Sequence, residues 1–229
     1  MQARKLDQAF EYARRAVELS PERTDFLTWA GRIALNLELL DTGVEYIRRA
    51  WELDPDNHDL ALGYADLLAR QGDADAARVV MESMTQTPDV MLSRILFELS
   101  AKNRGGAEAL FNEFGQSTYD DPQEKAFYQA QAAEALALPK QAIEYYGQVT
   151  LGERALPASL RRAELIGLGG DVETARSELQ KIRQQEDLLA IEQSWLTEAR
   201  LLREQARKEE SLEVKDQALK KFPASVTKQ

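Results

Sequence analysis

The sequence predicts an all-α protein, an α-solenoid of stacked helix pairs, and three observations carry that prediction. Pro21, Pro55, Pro88, Pro122 and Pro157 lie 34, 33, 34 and 35 residues apart, and Pro223 follows after 66. A small, large, small series of side chains recurs with the same period, and Gly-Asp turn signals fall between successive series. Such a period marks a supersecondary unit that cannot bury its apolar face alone, so neighbouring units must stack.

The chain opens on a helix over roughly Leu6 to Leu19, which carries Ala9, Ala13 and Ala16 ahead of Pro21. Spacings of four and three put these residues on one helical face. The proline then biases the residue before it away from helix. The same spacing recurs at Gly43, Ile47 and Ala50 before Pro55, at Ala77, Met81 and Met84, at Ala107, Phe111 and Phe114, and at Ala142, Tyr146 and Val149. It continues at Ala175, Leu179 and Ile182, and at Ser211, Lys215 and Ala218 before Pro223.

Between each proline and the next series there is room for one further helix. Ala30-Gly31 with Ala34, Tyr64-Ala65 with Leu68, and Trp195 with Ala199 and Leu202 supply apolar faces for these first helices. Small residues sit where paired helices must approach closely. Gly72-Asp73, Arg104-Gly105-Gly106 and Gly169-Gly170-Asp171 read as the turns within pairs. In the fourth unit Ala137-Leu138-Pro139 replaces the Gly-Asp turn, the first helix reads one residue short, and Pro139 begins the next helix. The third unit is compressed, with 30 residues between Ala77 and Ala107. Residues 1–229 thus read as a single solenoid of about six repeats, with 1–21 an unpaired second helix. Neither end is obviously adapted as a polar cap, so the chain reads as a segment of a longer array; the alternative is that Leu6 to Leu19 is itself the cap.

A net charge of −10 argues against nucleic acid and anionic membrane surfaces, because both are held by Lys and Arg. No apolar run approaches the length of a membrane-spanning helix. Met1 to Leu6 is polar and basic and leads directly into an amphipathic pattern, which is not a signal peptide. With no cysteine there is no thiolate ligand, cysteine nucleophile or disulfide.

Candidates for chemistry are few. His58, the only histidine, follows a Pro55-Asp56-Asn57 turn and reads as an exposed residue at a helix start. Gly167-Leu168-Gly169-Gly170-Asp171 lacks the Lys-Ser/Thr and the preceding strand of a phosphate loop and reads as an inter-helix turn. No catalytic residue, metal set or cofactor is assigned, and the chain reads as a non-enzyme.

The small, large, small, proline series, together with YIRRAWELDPDN from Tyr46 and QAIEYY from Gln141, resembles the tetratricopeptide repeat family. The resemblance implies a right-handed superhelix whose first helices line a concave face that takes peptides or extended protein segments. Carried over by register, the groove-facing positions are Asp25, Thr28, Arg32, Asp59, Leu62 and Asp66, then Phe127, Gln131, Leu160, Glu164, Leu196 and Arg200. Trp29 beside them reads equally as an anchoring aromatic or as a core tryptophan. The Lys and Asn of the carboxylate-gripping subset are missing, and the mixed acidic and apolar lining suits a partner with basic and apolar residues.

The stretch from Ala142 to Ile182 is similar to proteobacterial periplasmic tetratricopeptide lipoproteins. That resemblance implies an adaptor for a carboxy-terminal processing protease, with a lipidated cysteine in a preceding segment and a periplasmic location; the alternative location is cytoplasmic. Two functional readings follow: a scaffold that recruits a protein or peptide partner, and an array that self-associates through apolar ends bearing Leu6, Phe10 and Val17.

Overall fold

The structure, a computed structural model, describes residues 2–184 and 187–222, with side chains from Lys5 onward. Pro223, the last mark of the proline period, lies outside the described residues. Among the described residues there are thirteen helices and no strand, as expected of an all-α helical repeat. They are α1 (Gln2–Leu19), α2 (Thr24–Asn36), α3 (Leu40–Leu53), α4 (His58–Arg70), α5 (Ala74–Ser83), α6 (Pro88–Ser100) and α7 (Arg104–Gln116). The remainder are α8 (Pro122–Ala135), α9 (Pro139–Gln148), α10 (Ala155–Leu168), α11 (Val172–Ile182), α12 (Leu188–Glu204) and α13 (Lys208–Lys221). The chain divides into two compact units between Val90 and Met91.

The prolines act at the entrances of the first helices. Pro88 and Pro122 begin α6 and α8, and Pro157 lies in the first turn of α10, where the missing N–H has no intrahelical partner to lose. Pro139 likewise begins α9. Side chains also cap several starts: Asn57 accepts from the Leu60 amide, Asp121 from Gln123 and Glu124, and Asp187 from Leu189 and Ala190.

The turn inside each pair is a recurrent device. Glu38, Gly72, Lys102, Ala137, Gly170 and Ala206 all have positive φ, and each closes a first helix by reversing the backbone into the second. Only two of the six are glycine. Arg104-Gly105-Gly106 is not the turn the sequence suggested: these residues form the first turn of α7, capped by Asn103, and the reversal sits at Lys102. The fourth unit's first helix is not short either, since α8 has 14 residues against 13 in α4. The compression of the third unit falls in α5, which has 10 residues where α3 has 14, about one helical turn less.

Within the first unit Ala13 and Val17 of α1 pack with Leu27, Ala30 and Ile33 of α2 and Ala50 of α3. Phe10 joins them, its ring edge-on to Tyr46 at 6.4 Å. The apolar face of α1 that sequence reading offered for self-association is therefore largely spent: Val17 is buried and Phe10 half-buried. In the second unit one core runs from Met91 and Ile95 of α6 through Phe111 and Phe114 of α7 to Ala130 of α8 and Tyr146 of α9. Further cores join Ala163, Leu179 and Ala190, and Trp195, Leu202 and Val214. The predicted series is the buried face of α3, α5, α7, α9 and α11, with Ile47, Met81, Phe111, Tyr146 and Leu179 all buried at its large position. In α13 it departs, since Lys215 is exposed and Val214, packed on Trp195 and Leu202, is buried beside it.

Candidate functional site

Helices α2 and α4 are the first helices of successive pairs, and one face of each borders a cavity of about 700 Å³ in the first unit. From α2 come Thr24, Asp25, Thr28, Trp29, Arg32 and Leu35; from α4 come Asp59, Leu60, Gly63, Asp66, Leu67 and Arg70. The predicted residues Asp25, Thr28, Trp29, Arg32, Asp59 and Asp66 all line this groove, whereas Leu62 is half-buried outside the lining.

Trp29 is 45% exposed, which answers the question its position posed: it is a wall of the groove and not a core tryptophan. Thirty-four residues on, the matching position of α4 is Gly63, and a Cβ built there would meet nothing within 4 Å. An aromatic wall on one helix and a bare backbone on the next leave the cavity between them open.

The charges are partly spoken for. Asp25 accepts from Arg23 Nε at 2.9 Å, and that hydrogen bond holds its carboxyl below the usual range. Asp66 pairs with Arg70 Nε at 2.9 Å, one turn along α4. Thr28 is turned back to its own helix, donating to the Thr24 carbonyl at 2.7 Å. Among the described residues Arg32 and Asp59 form no ion pair, so the groove presents one free cation and one free carboxylate beside the indole. The acidic lining expected from sequence is thus largely neutralised in place.

The predicted positions of the second unit are dispersed. Phe127 is half-buried in the core, edge-on to Tyr146 at 6.0 Å, and Gln131 is half-buried on α8. Glu164 is 6% exposed and is paired with Arg161 and Arg200, so its carboxylate is engaged inside the protein. Leu160, Leu196 and Arg200 line a separate pocket of about 330 Å³ between α10, α12 and α13, together with Gln193, Thr197, Ala199, Arg203 and Lys215.

Sequence reading missed an arginine–carboxylate network in the second unit. Tyr146 donates to Glu134 at 2.7 Å, Arg161 bridges Glu134 and Glu164, and Arg162 pairs with Glu178. Farther on, Glu198, 1% exposed, receives Arg176 at 2.7 Å and also pairs with Arg183. The Arg183 guanidinium lies 3.6 Å over the Trp195 ring, and burial lowers its proton affinity against the pull of Glu198. Apart from Arg161 and Glu164, neighbours on α10, these partners are 12 to 27 residues apart and share no motif, so only the pairing of helices brings them together. Among the described residues no group of His, Cys, Asp and Glu could hold a metal ion, and no helix is long and apolar enough to cross a membrane.

Residues 40–88 match the family model of the tetratricopeptide repeat. The matched segment spans α3, α4 and α5 and ends on the first residue of α6, so it includes the α4 wall of the groove. No curated protein matches the chain. Among solved structures, a tetratricopeptide repeat protein from Parabacteroides merdae is 16% identical with a TM-score of 0.51, covering 93% of this chain and 85% of its own. PilW, a type IV pilus biogenesis factor, is 14% identical with a TM-score of 0.53, covering 89% and 95%. The human IFIT1 dimer with PPP-AAAA is 16% identical with a TM-score of 0.51, covering 98% of this chain and 57% of its own. Identities this low establish the fold alone, and the tetratricopeptide resemblance is supported at that level. The fold is thus shared by a pilus biogenesis factor and by a protein holding PPP-AAAA, so the purpose of this chain has to be argued from its own groove.

Proposed function

We propose that this protein is a non-enzymatic scaffold that holds an extended segment of a protein partner in the groove between α2 and α4. The observation that carries the reading is Trp29, half in solvent and facing an open cavity whose opposite helix has only Gly63 at the matching position. A large exposed aromatic in a concave site is the kind of group that supplies most of the binding energy of an interface. Arg32 and Asp59 would orient the segment, each without an internal partner to give up.

The test uses Gly63→Leu, which puts a side chain into the groove at a position where an added Cβ meets no atom within 4 Å, alongside Trp29→Ala. Partners recovered by affinity from the source cells by the wild-type chain, and lost with both variants while their melting temperatures hold, support the reading. Partners kept by both variants would place binding elsewhere.

The narrower form of this proposal makes the partner a carboxy-terminal processing protease of the periplasm, following the likeness of residues 142–182 to adaptor lipoproteins. Ala142, Tyr146, Ala163, Leu165, Ala175 and Leu179 in that stretch are buried, so the likeness is one of packing and does not itself describe a binding face. Recovery of such a protease by the wild-type chain and not by Gly63→Leu supports this form. Self-association is the competing reading, and Tyr12 and Leu19 on α1 and Leu212 on α13 are the exposed apolar side chains it would use. A mass that rises with concentration and falls on Leu212→Glu substitution would favour it.

A further inference from the structure

We infer that the pocket between α10, α12 and α13 is a second recognition site, one that takes an acidic segment of a protein partner, two carboxylates flanking an aliphatic side chain. In the preceding second helices the large position of the repeat holds Ile47, Met81, Phe111, Tyr146 and Leu179, each buried in the core between helices. In α13 the same position holds Lys215, which is exposed and lines the pocket. Val214 and Ala218 close the core of α13 against Trp195, Ala199 and Leu202, so Lys215 is left outside that core and places an ammonium at the edge of a cavity of about 330 Å³.

The electrostatics of the pocket run against those of the chain. In a protein of net charge −10, this lining contains Arg200, Arg203 and Lys215 and no carboxylate. Arg200 is committed to Glu164, which also holds Arg161, while Arg161 in turn holds Glu134; these two arginines and two carboxylates balance. Arg203 and Lys215 are left over, and among the described residues neither forms an ion pair. Two uncompensated cations on adjacent helices attract a ligand with two negative charges. Leu160 and Leu196, the latter 39% exposed, form the apolar side of the pocket and would receive an aliphatic group between them. The overall negative charge of the chain disfavours an extended polyanion, whose phosphates would reach beyond the pocket, and favours a short acidic peptide.

The site is independent of what the α2–α4 groove binds, and its test keeps the two apart. A short fluorescein-labelled peptide of alternating Glu and Leu is titrated with the full chain and followed by anisotropy, with Gln-Leu and Lys-Leu peptides of equal length as controls. The Glu-Leu peptide is expected to bind roughly tenfold or more tightly than either control and to weaken with added salt. Arg203→Glu with Lys215→Glu is expected to weaken binding by at least roughly tenfold. Lys215→Leu should do so too, because it removes one of the two uncompensated cations. Gly63→Leu should leave binding unchanged. Equal binding of the Gln-Leu peptide, indifference to the double substitution, loss of binding with Gly63→Leu, or displacement by a single-stranded oligonucleotide as effective as unlabelled peptide would each overturn the inference.

Discussion

Gly31 of α2 and Gly43 of α3 face each other so closely that a Cβ on either would lie 3.2 Å from the other's carbonyl oxygen. The same added carbon would come within 2.8 Å of Ile47 at Gly31, or within 2.6 Å of Leu35 at Gly43. This contact draws the first complete helix pair together and sets the position of α2, hence of the groove wall it carries.

Gly43→Ala is expected to destabilise the protein by about 1–3 kcal/mol, because overpacking against a backbone carbonyl outweighs the better helix propensity of alanine. Gly63→Ala is the control, gaining about 0.5–1 kcal/mol where no neighbour resists the methyl group. Urea denaturation of the two variants separates the effects by sign.

Ala137 and Ala206 hold φ of 59° at the reversal between paired helices, a conformation costly for a residue with a Cβ. Replacing either with glycine relieves that strain and loses part of the gain to the greater freedom of the unfolded chain. A net stabilisation of about 0.5–1 kcal/mol each is expected, read as a rise in melting temperature. At the cap that follows such a turn, Asp171→Ala should lose about 1 kcal/mol, since its carboxylate accepts from the Thr174 amide at 3.1 Å.

Burial, and then the hydrogen bond to Glu134, push the Tyr146 hydroxyl well above its ordinary value of 10.0. A group whose proton is held more tightly in the folded state stabilises fully below its unfolded pKa, and that contribution is lost as pH rises through the folded pKa. Stability should therefore decline above pH 10, the reference value of tyrosine. In Tyr146→Phe this alkaline decline is expected to be smaller. Denaturation midpoints at a series of alkaline pH values, with phenolate absorbance recorded alongside, test it.

Glu198 is the sole carboxylate that Arg183 pairs with among the described residues; the Glu198 side chain is buried and that of Arg183 is 11% exposed. Glu198→Ala leaves the Arg183 guanidinium without its counter-charge and should cost about 3–5 kcal/mol. Glu173→Ala, on the exposed margin of the same network, is expected to cost no more than about 1 kcal/mol. Comparing the two by chemical denaturation distinguishes a buried requirement from surface decoration.

The reach of sequence reading can be judged from particular residues. The periodic prolines and the series from Gly43 to Ala218 identified the second helices, because burial of one helical face imposes a spacing that survives in the chain. The turns at Gly72 and Gly170 were legible, since glycine tolerates positive φ. Those at Glu38, Lys102 and Ala206 were not, because packing of the flanking helices enforces the conformation on residues that carry no local signal for it. The glycines of Arg104-Gly105-Gly106 misled for the complementary reason: they lie inside a helix whose start is set by Asn103. Register placed Trp29, Arg32 and Asp59 on the groove face, and it placed Glu164 there too, although that carboxylate is held below the surface by Arg161 and Arg200.

By itself, then, the sequence determined that this protein is a stack of helix pairs, which face of the second helices from α3 to α11 is buried, and that chemistry resting on cysteine was closed to it. These follow from composition and from spacing along one helix, and both are written in the chain. Tertiary structure alone decided that Trp29 stands in solvent opposite an empty Gly63, that Asp25 and Asp66 are already neutralised, and that Val214 enters the core of α13 while Lys215 borders a pocket. Each of these depends on what a second helix, many residues distant, brings to the same point in space, and no local pattern records that distance.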